Sequence, residues 1–165
     1  ELAVDLGESR CAGDAIAARL AGSRLPNVSY METQFDNITA ADASVDVVTW
    51  FLGPHELYYK PDGAPAGLGE VTKSYSEIFR VLKPGGYFVV LDHAAATGSP
   101  TNTGGTIHRI DPAHVKASAA AAGFTIDEES SILANPADDH TLGVFDPKIR
   151  RKTDQFLIRF VKPKG

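Results

Sequence analysis

The most telling pattern of apolar and polar positions runs from Ser76 to His93. Ile78, Val81 and Leu82 recur at helical spacing, and Lys83 stands where a cation complements a helix C-terminus. Pro84 cannot continue that helix, and Gly85-Gly86 can take the positive φ angles of a tight turn. Tyr87 to Leu91 lacks period-2 alternation, which suits a parallel strand covered by helices on both faces. The pattern predicts a helix over 70–83, a turn, and a buried strand over 87–92.

The rest of the chain reads in the same terms. Leu2 to Leu6 is a short apolar strand interrupted by Asp5, and Asp14 to Leu20 is a helix with Ile16, Ala17 and Leu20 on one face. Val28 to Met31 is the next strand, Ile38 to Ser44 a loop, and Val45 to Phe51 a strand rich in β-branched and aromatic residues. Tyr58 to Gly69 carries Pro61, Pro65, Gly63, Gly67 and Gly69 and reads as a loop that could serve as a lid. Thr97 to Thr106, with Gly98, Pro100, Gly104 and Gly105, reads as a second loose segment. Asp111 as N-cap and Pro112 at the first helical position start a helix that runs to Ala122, with Gly123 as its left-handed cap. Strands are expected at Phe124 to Ile126, at Ile132-Leu133 and at Phe156 to Val161. Strands alternating with helices imply an α/β fold with a mostly parallel sheet, and the late cluster of strands permits an antiparallel edge.

Composition narrows the function classes. With 165 residues the chain is expected to form a single domain, 1–165, and 43% hydrophobic with 22% charged residues is ordinary for a soluble globular protein. A net charge of -5 argues against nucleic acid or an anionic membrane as partner, and no apolar run approaches the ~20 residues that span a bilayer. Cys11 stands alone, so an internal disulfide is excluded and the compartment stays open. The chain begins at Glu1 without a methionine, so an upstream segment, with any targeting signal, is expected to have been removed.

Laid end to end, these elements resemble the class I methyltransferases that use S-adenosylmethionine. Asn27 to Asp36 followed by Asp42 to Val48 is similar to that family's third strand, loop and fourth strand. Leu82 to Gly86 is similar to its Leu-Lys-Pro-Gly-Gly turn before strand five, and Ala122-Gly123-Phe124 to the helix end before its sixth strand. Thr106 to Asp111, Asn135 to Asp139 and Lys152 to Phe156 resemble a bacterial branch of predicted methyltransferases. The resemblance implies a Rossmann-like three-layer sandwich, S-adenosylmethionine as cofactor and a small-molecule methyl acceptor.

One departure matters. The family's first strand ends in a glycine-rich loop that admits the amino-acid end of the cofactor, whereas Asp5-Leu6-Gly7 is followed here by Glu8-Ser9-Arg10-Cys11-Ala12, bulk where glycines are needed. The distance from Asp5 to Val28 fits one helix only. Residues 2–6 therefore read as the family's second strand, with the fold abbreviated at its N-terminus. The alternative keeps them as strand one and deletes strand two. Weak or absent cofactor binding by the 165-residue chain is the resulting expectation.

In open α/β sheets ligands sit beyond the carboxyl ends of the strands. The resemblance assigns Asp5 to the ribose hydroxyls, although a solvated strand-end acid reads equally well, and Gln34 and Phe35 to the loop around the adenine, where Phe35 could also be a packing anchor. Leu52 to Leu57 resembles the substrate-side loop, placing Leu52 beside the cofactor and His55 as a general base, a positioning group or a structural histidine. His93 faces the same edge, and His108-Arg109 could be carried over the pocket by the flexible loop before them. His55, His93, His108, His114 and His140 lack zinc-site spacings, so no metal is expected beyond weak binding at Asp138-Asp139-His140. No nucleophile elbow or phosphate-binding loop stands in the chain. Three functions compete: methyl transfer, a non-catalytic or partner-dependent member of the fold that could form a homodimer across an exposed sheet edge, and an unrelated hydrolase on the same scaffold.

Overall fold

The computed structural model describes the backbone at residues 2–5, 10–60 and 67–165, with side chains from residue 15 onward in those ranges. In chain order the elements are β1 (Leu2–Asp5), α1 (Arg10–Leu20), β2 (Ser29–Glu32), β3 (Val45–Phe51), α2 (Val71–Val81), β4 (Leu82–His93), α3 (Thr103–Ile107), α4 (Pro112–Ala122), β5 (Thr125–Ser130) and β6 (Gln155–Val161). Short 3₁₀ turns stand at Ala21–Ser23 and Pro54–Tyr58. No described helix is long and apolar enough to cross a membrane.

The result is a mixed, Rossmann-like α/β arrangement. β1 and β2 pair in parallel from Leu2 opposite Ser29 to Asp5 opposite Glu32. A four-stranded sheet has the order β3-β4-β6-β5, with β3 parallel to β4 and β6 antiparallel to both β4 and β5. The antiparallel edge expected near the C-terminus is therefore present.

Local chemistry explains the elements. Glu70 caps α2 by accepting from the backbone N–H of Thr72 and Lys73, and Ser74, Tyr75, Ile78 and Val81 form its buried stripe. The following turn is continuous with β4: Leu82 already aligns with Val45, and the register shifts as Lys83-Pro84-Gly85-Gly86 intervene. Gly85 has φ +83°, and a Cβ on Gly86 would stand 2.9 Å from the carbonyl oxygens of Asp46 and Lys83. Asp111 caps Ala113 N–H at 2.9 Å, Pro112 opens α4, and Gly123 closes it at φ +105°.

Three expectations need correction. β4 is not equally covered on both faces among the described residues. Phe88, Val90 and Asp92 are fully buried, whereas Tyr87 is exposed, because α2 and α4 pack together on the same side, where Phe79 meets Phe124. Ile132-Leu133 is a turn, not a strand, with Ile132 79% exposed. The segment before His108 is not simply loose: its glycines build α3 tight against the Pro54–Tyr58 turn, where a Cβ on Gly104 would lie 2.4 Å from the His55 carbonyl oxygen. Residues 61–66 of the expected lid, and 6–9, where the family's glycine-rich loop is missing from the sequence, lie outside the described residues.

An aromatic chain carries the core from the loop after β2 across the sheet. Phe35 lies 4.5 Å from Trp50, Trp50 6.4 Å from Phe88, and Phe88 stacks on Phe160 at 5.7 Å. On its far side β3 has no strand partner among the described residues. Val47 and Phe51 are 50% and 55% exposed there, and a cavity of about 840 Å³ runs along the strand.

Candidate functional site

Because β3 and β4 are parallel, their carboxyl ends share one rim, and the chain delivers three histidines to it. His55 follows β3 in the 3₁₀ turn opened by Pro54, and His93 is the last residue of β4. His108 follows α3 as its C-cap, at φ +55° in the left-handed region. The His55 ring lies 5.4 Å from that of His108 and 6.2 Å from that of His93.

Asp92 fixes this arrangement from below. It is fully buried, accepts from the backbone N–H of His55 at 2.9 Å and of His93 at 2.8 Å, and meets His55 Nδ1 at 2.7 Å. With Nδ1 engaged, His55 directs Nε2 to Glu56 Oε1 at 2.9 Å, and the same oxygen lies 3.3 Å from His108 Nδ1. Glu56 Oε2 is buried, with no hydrogen-bond partner among the described residues. His55 is buried, whereas Glu56 and His108 keep 18% and 21% of their side-chain surface exposed, so an incoming molecule can reach those two.

The histidines are tuned in opposite directions. Burial alone lowers the His55 pKa, but its hydrogen bonds to Asp92 and Glu56 and their charges outweigh that and raise it to about 9. The two carboxylates thus favour the protonated form of the free His55 ring. Burial pushes the Glu56 carboxyl up, yet the hydrogen bond and charge of His55, with the charge of His108, hold it below its ordinary value. His93 is pushed down, chiefly by burial, with Asp92 opposing and the cationic His55 and Arg109 reinforcing. Its Nδ1 meets Thr153 Oγ1 at 2.8 Å and accepts from Gln155 Nε2 at 3.3 Å, which leaves the proton of the neutral ring on Nε2.

The residues expected at the cofactor divide. Phe35 and Leu52 both line the cavity along β3, and Gly53 and Glu56 line it too. Leu52 is exposed and held at φ +54°. Gln34 is exposed and is not part of the cavity lining. Asp5 ends β1 beside Glu32 of β2, and its side chain lies outside the described residues.

Arg109 does not meet the rim. It is fully buried, with Nε donating to the Leu142 carbonyl at 2.9 Å, Nη1 to that of Ala94 at 2.9 Å, and Nη2 paired with Asp138 at 2.9 Å. The guanidinium is spent inside the protein and cannot touch a substrate, so the role expected for it is corrected to a structural clamp. Asp138 also accepts from the backbone of Asp154 and His140, and Asp139 is engaged with Thr141, which leaves that trio poorly placed for a metal. His114 likewise turns aside, its Nε2 2.9 Å from the Ser99 carbonyl. Sequence reasoning places Asp92 with His93 at the strand end that faces the site, but gives neither Asp92 nor Glu56 a role. The available signal was that each is the chain neighbour of a candidate histidine at a strand end.

Comparisons with known proteins follow from this geometry. The sequence model of the methyltransferase domain family matches residues 2–90, more than half of the chain. Comparison with curated protein sequences gives no match. Among solved structures, the [4+2]-cyclase SpnF is similar with a TM-score of 0.66 at 18% identity, covering 99% of this chain and 67% of that one. A SAM-dependent methyltransferase from Aquifex aeolicus gives 0.63 at 17% identity, with 98% and 68% covered. A SAM-dependent methyltransferase from Methanosarcina mazei gives 0.63 at 15% identity, with 99% and 82% covered. At these identities the structural likeness is one of fold.

Proposed function

We propose that this chain, which belongs to the methyltransferase domain family, directs a methyl group from S-adenosylmethionine to a small-molecule acceptor held against Glu56 and His108. The observation that carries the reading is continuity: Phe35, Leu52 and Glu56 line one cavity, and Glu56 joins it to His55 and His108. A volume of about 840 Å³ is of the size that small-molecule sites occupy. The Phe35 ring and the Leu52 side chain fit the apolar faces of an adenosyl group.

When bound, the cofactor supplies a methyl already activated on a sulfonium, so the protein's task is mainly alignment. His55, anchored by Asp92, orients Glu56. Glu56 and His108 are the cluster members exposed enough to hydrogen-bond the acceptor and fix its nucleophilic atom. Neutral His93 can donate a hydrogen bond through Nε2.

The pairing of β1 with β2 and not with β3 supports residues 2–6 as the family's second strand. In the sequence, Glu8 to Ala12 carries bulk and no glycine-rich run follows residues 2–6, so the adenosyl half is expected to supply most of the affinity. A second reading, a fold that binds without methylating, draws on the same bulk. A protein of this fold named as a [4+2]-cyclase makes it concrete.

Calorimetric titration with S-adenosylhomocysteine and with adenosine tests the proposal. The expected result is that the two bind within about tenfold of each other, roughly 1.4 kcal/mol, and that Phe35→Ala weakens both. If neither binds, the adenosyl site is not there. If the homocysteine compound binds orders of magnitude tighter than adenosine, the amino-acid end has a cradle after all.

A further inference from the structure

We propose that His55, Glu56 and His108 form a binding site for one divalent metal ion of the zinc class. The three candidate ligand atoms, one from each residue, lie within 4.8 Å of one another. His55 Nε2 and His108 Nδ1 stand 2.9 Å and 3.3 Å from Glu56 Oε1. A tetrahedral ion bonded at roughly 2.0–2.1 Å holds its nitrogen and oxygen ligands roughly 3.3 Å apart, close to the two nitrogen–oxygen distances here. Two imidazoles and a carboxylate are the donor set of an open zinc site, with a fourth position left for water or substrate.

Two further observations point to an ion. The first is Asp92, which holds His55 Nδ1 at 2.7 Å and so turns Nε2 outward, as a carboxylate behind a metal-bound histidine does. The second is Glu56 Oε2, a buried carboxylate oxygen with no partner among the described residues. A cation within the cluster would satisfy that charge without demanding protons from both rings. The scaffold is rigid: Pro54 opens the turn that carries His55, and Gly104 and Gly105 bring α3 into backbone contact with that turn, which fixes His108. Glu56 also lines the cavity along β3, so an ion here would stand beside the proposed acceptor position and could take an acceptor oxygen as its fourth ligand. Only this last consequence rests on the methyl-transfer reading. The binding itself is tested with the metal alone.

The experiment is calorimetric titration of chelator-treated protein with Zn²⁺, accompanied by visible absorption of the Co²⁺ form. One equivalent is expected to bind with micromolar or tighter affinity, and cobalt is expected to give the intense bands of tetrahedral coordination. His108→Ala, at a partly exposed position, is expected to lose about 100-fold or more in affinity, and Asp92→Asn about 10–100-fold. His140→Ala, in the Arg109 network, is expected to bind as the unmodified chain does. Absence of stoichiometric binding overturns the proposal. So does a His108→Ala protein that binds zinc unchanged, which would mark an adventitious ion at another place. Circular dichroism confirms that each variant is folded.

Discussion

Arg109 and His55 are both buried cationic side chains, each beside a buried aspartate, yet they stand in opposite surroundings. Arg109 gives its donors to two carbonyls and to Asp138, and Asp138 accepts two backbone N–H groups in addition. His55 has Asp92 on one side, but on the other it opens onto Glu56, which has a buried oxygen unpartnered among the described residues and some exposed surface. The first cluster is closed and ties the segment after α3 to the chain before β6. The second is left incomplete at the rim, where two strands end together. A charged residue beside a candidate histidine is therefore no guide to function until its hydrogen bonds are accounted for. Completed polar groups hold the fold, and an incomplete group with access is the one available to a ligand.

The contrast is sharpest in stability. Arg109→Ala leaves Asp138 buried beside an empty space and is expected to cost about 3–5 kcal/mol in urea unfolding. His108→Ala removes a partly exposed ring and is expected to cost less than about 1 kcal/mol. Equal losses would break the distinction between the two clusters.

A smaller effect is expected in acid. Burial alone raises the Asp138 pKa, but hydrogen bonds from the backbone of Asp154 and His140, and from Arg109, hold it below the ordinary 3.8. A carboxyl depressed by folding contributes stability above its unfolded pKa and loses it as pH falls through the folded value. The unfolding midpoint is therefore expected to drop below about pH 4, and Asp138→Asn is expected to flatten that part of the profile. An unchanged profile in the variant would remove Asp138 from the acid response.

The smallest change belongs to the rim. Leu52 sits at φ +54° where it lines the cavity, and glycine takes that conformation without strain. Leu52→Gly is expected to raise stability by up to about 1 kcal/mol, seen as a higher melting temperature, while weakening S-adenosylhomocysteine binding. A variant that melts lower and binds unchanged would place Leu52 in the fold alone.

How much of this was legible in the sequence depends on the range of the cause. Asp111, Pro112 and Gly123 delimit α4 through contacts within one turn, and the chain states them outright. Val45 to Phe51 is a strand in both readings for the same local reason. The histidines were visible as candidates one by one, but His55 and His108 are 53 positions apart, and nothing local brings them together. What does so is Gly104 and Gly105, read as looseness because their need for close backbone approach shows only once the Pro54–Tyr58 turn is against them. Arg109 was misjudged because its partners, Leu142 and Asp138, come from a distant loop. Ile132-Leu133 looked like a strand because two apolar residues carry too little pattern to exclude a turn.

The distinction between an open rim and a closed clamp can be read from histidine ring resonances followed by NMR as S-adenosylhomocysteine is added. Shifts at His55 and His108, with His140 beside Asp154 unmoved, are what the open rim requires. Movement at His140 while His55 and His108 stay still would put the ligand at the wrong cluster and end this reading of the molecule.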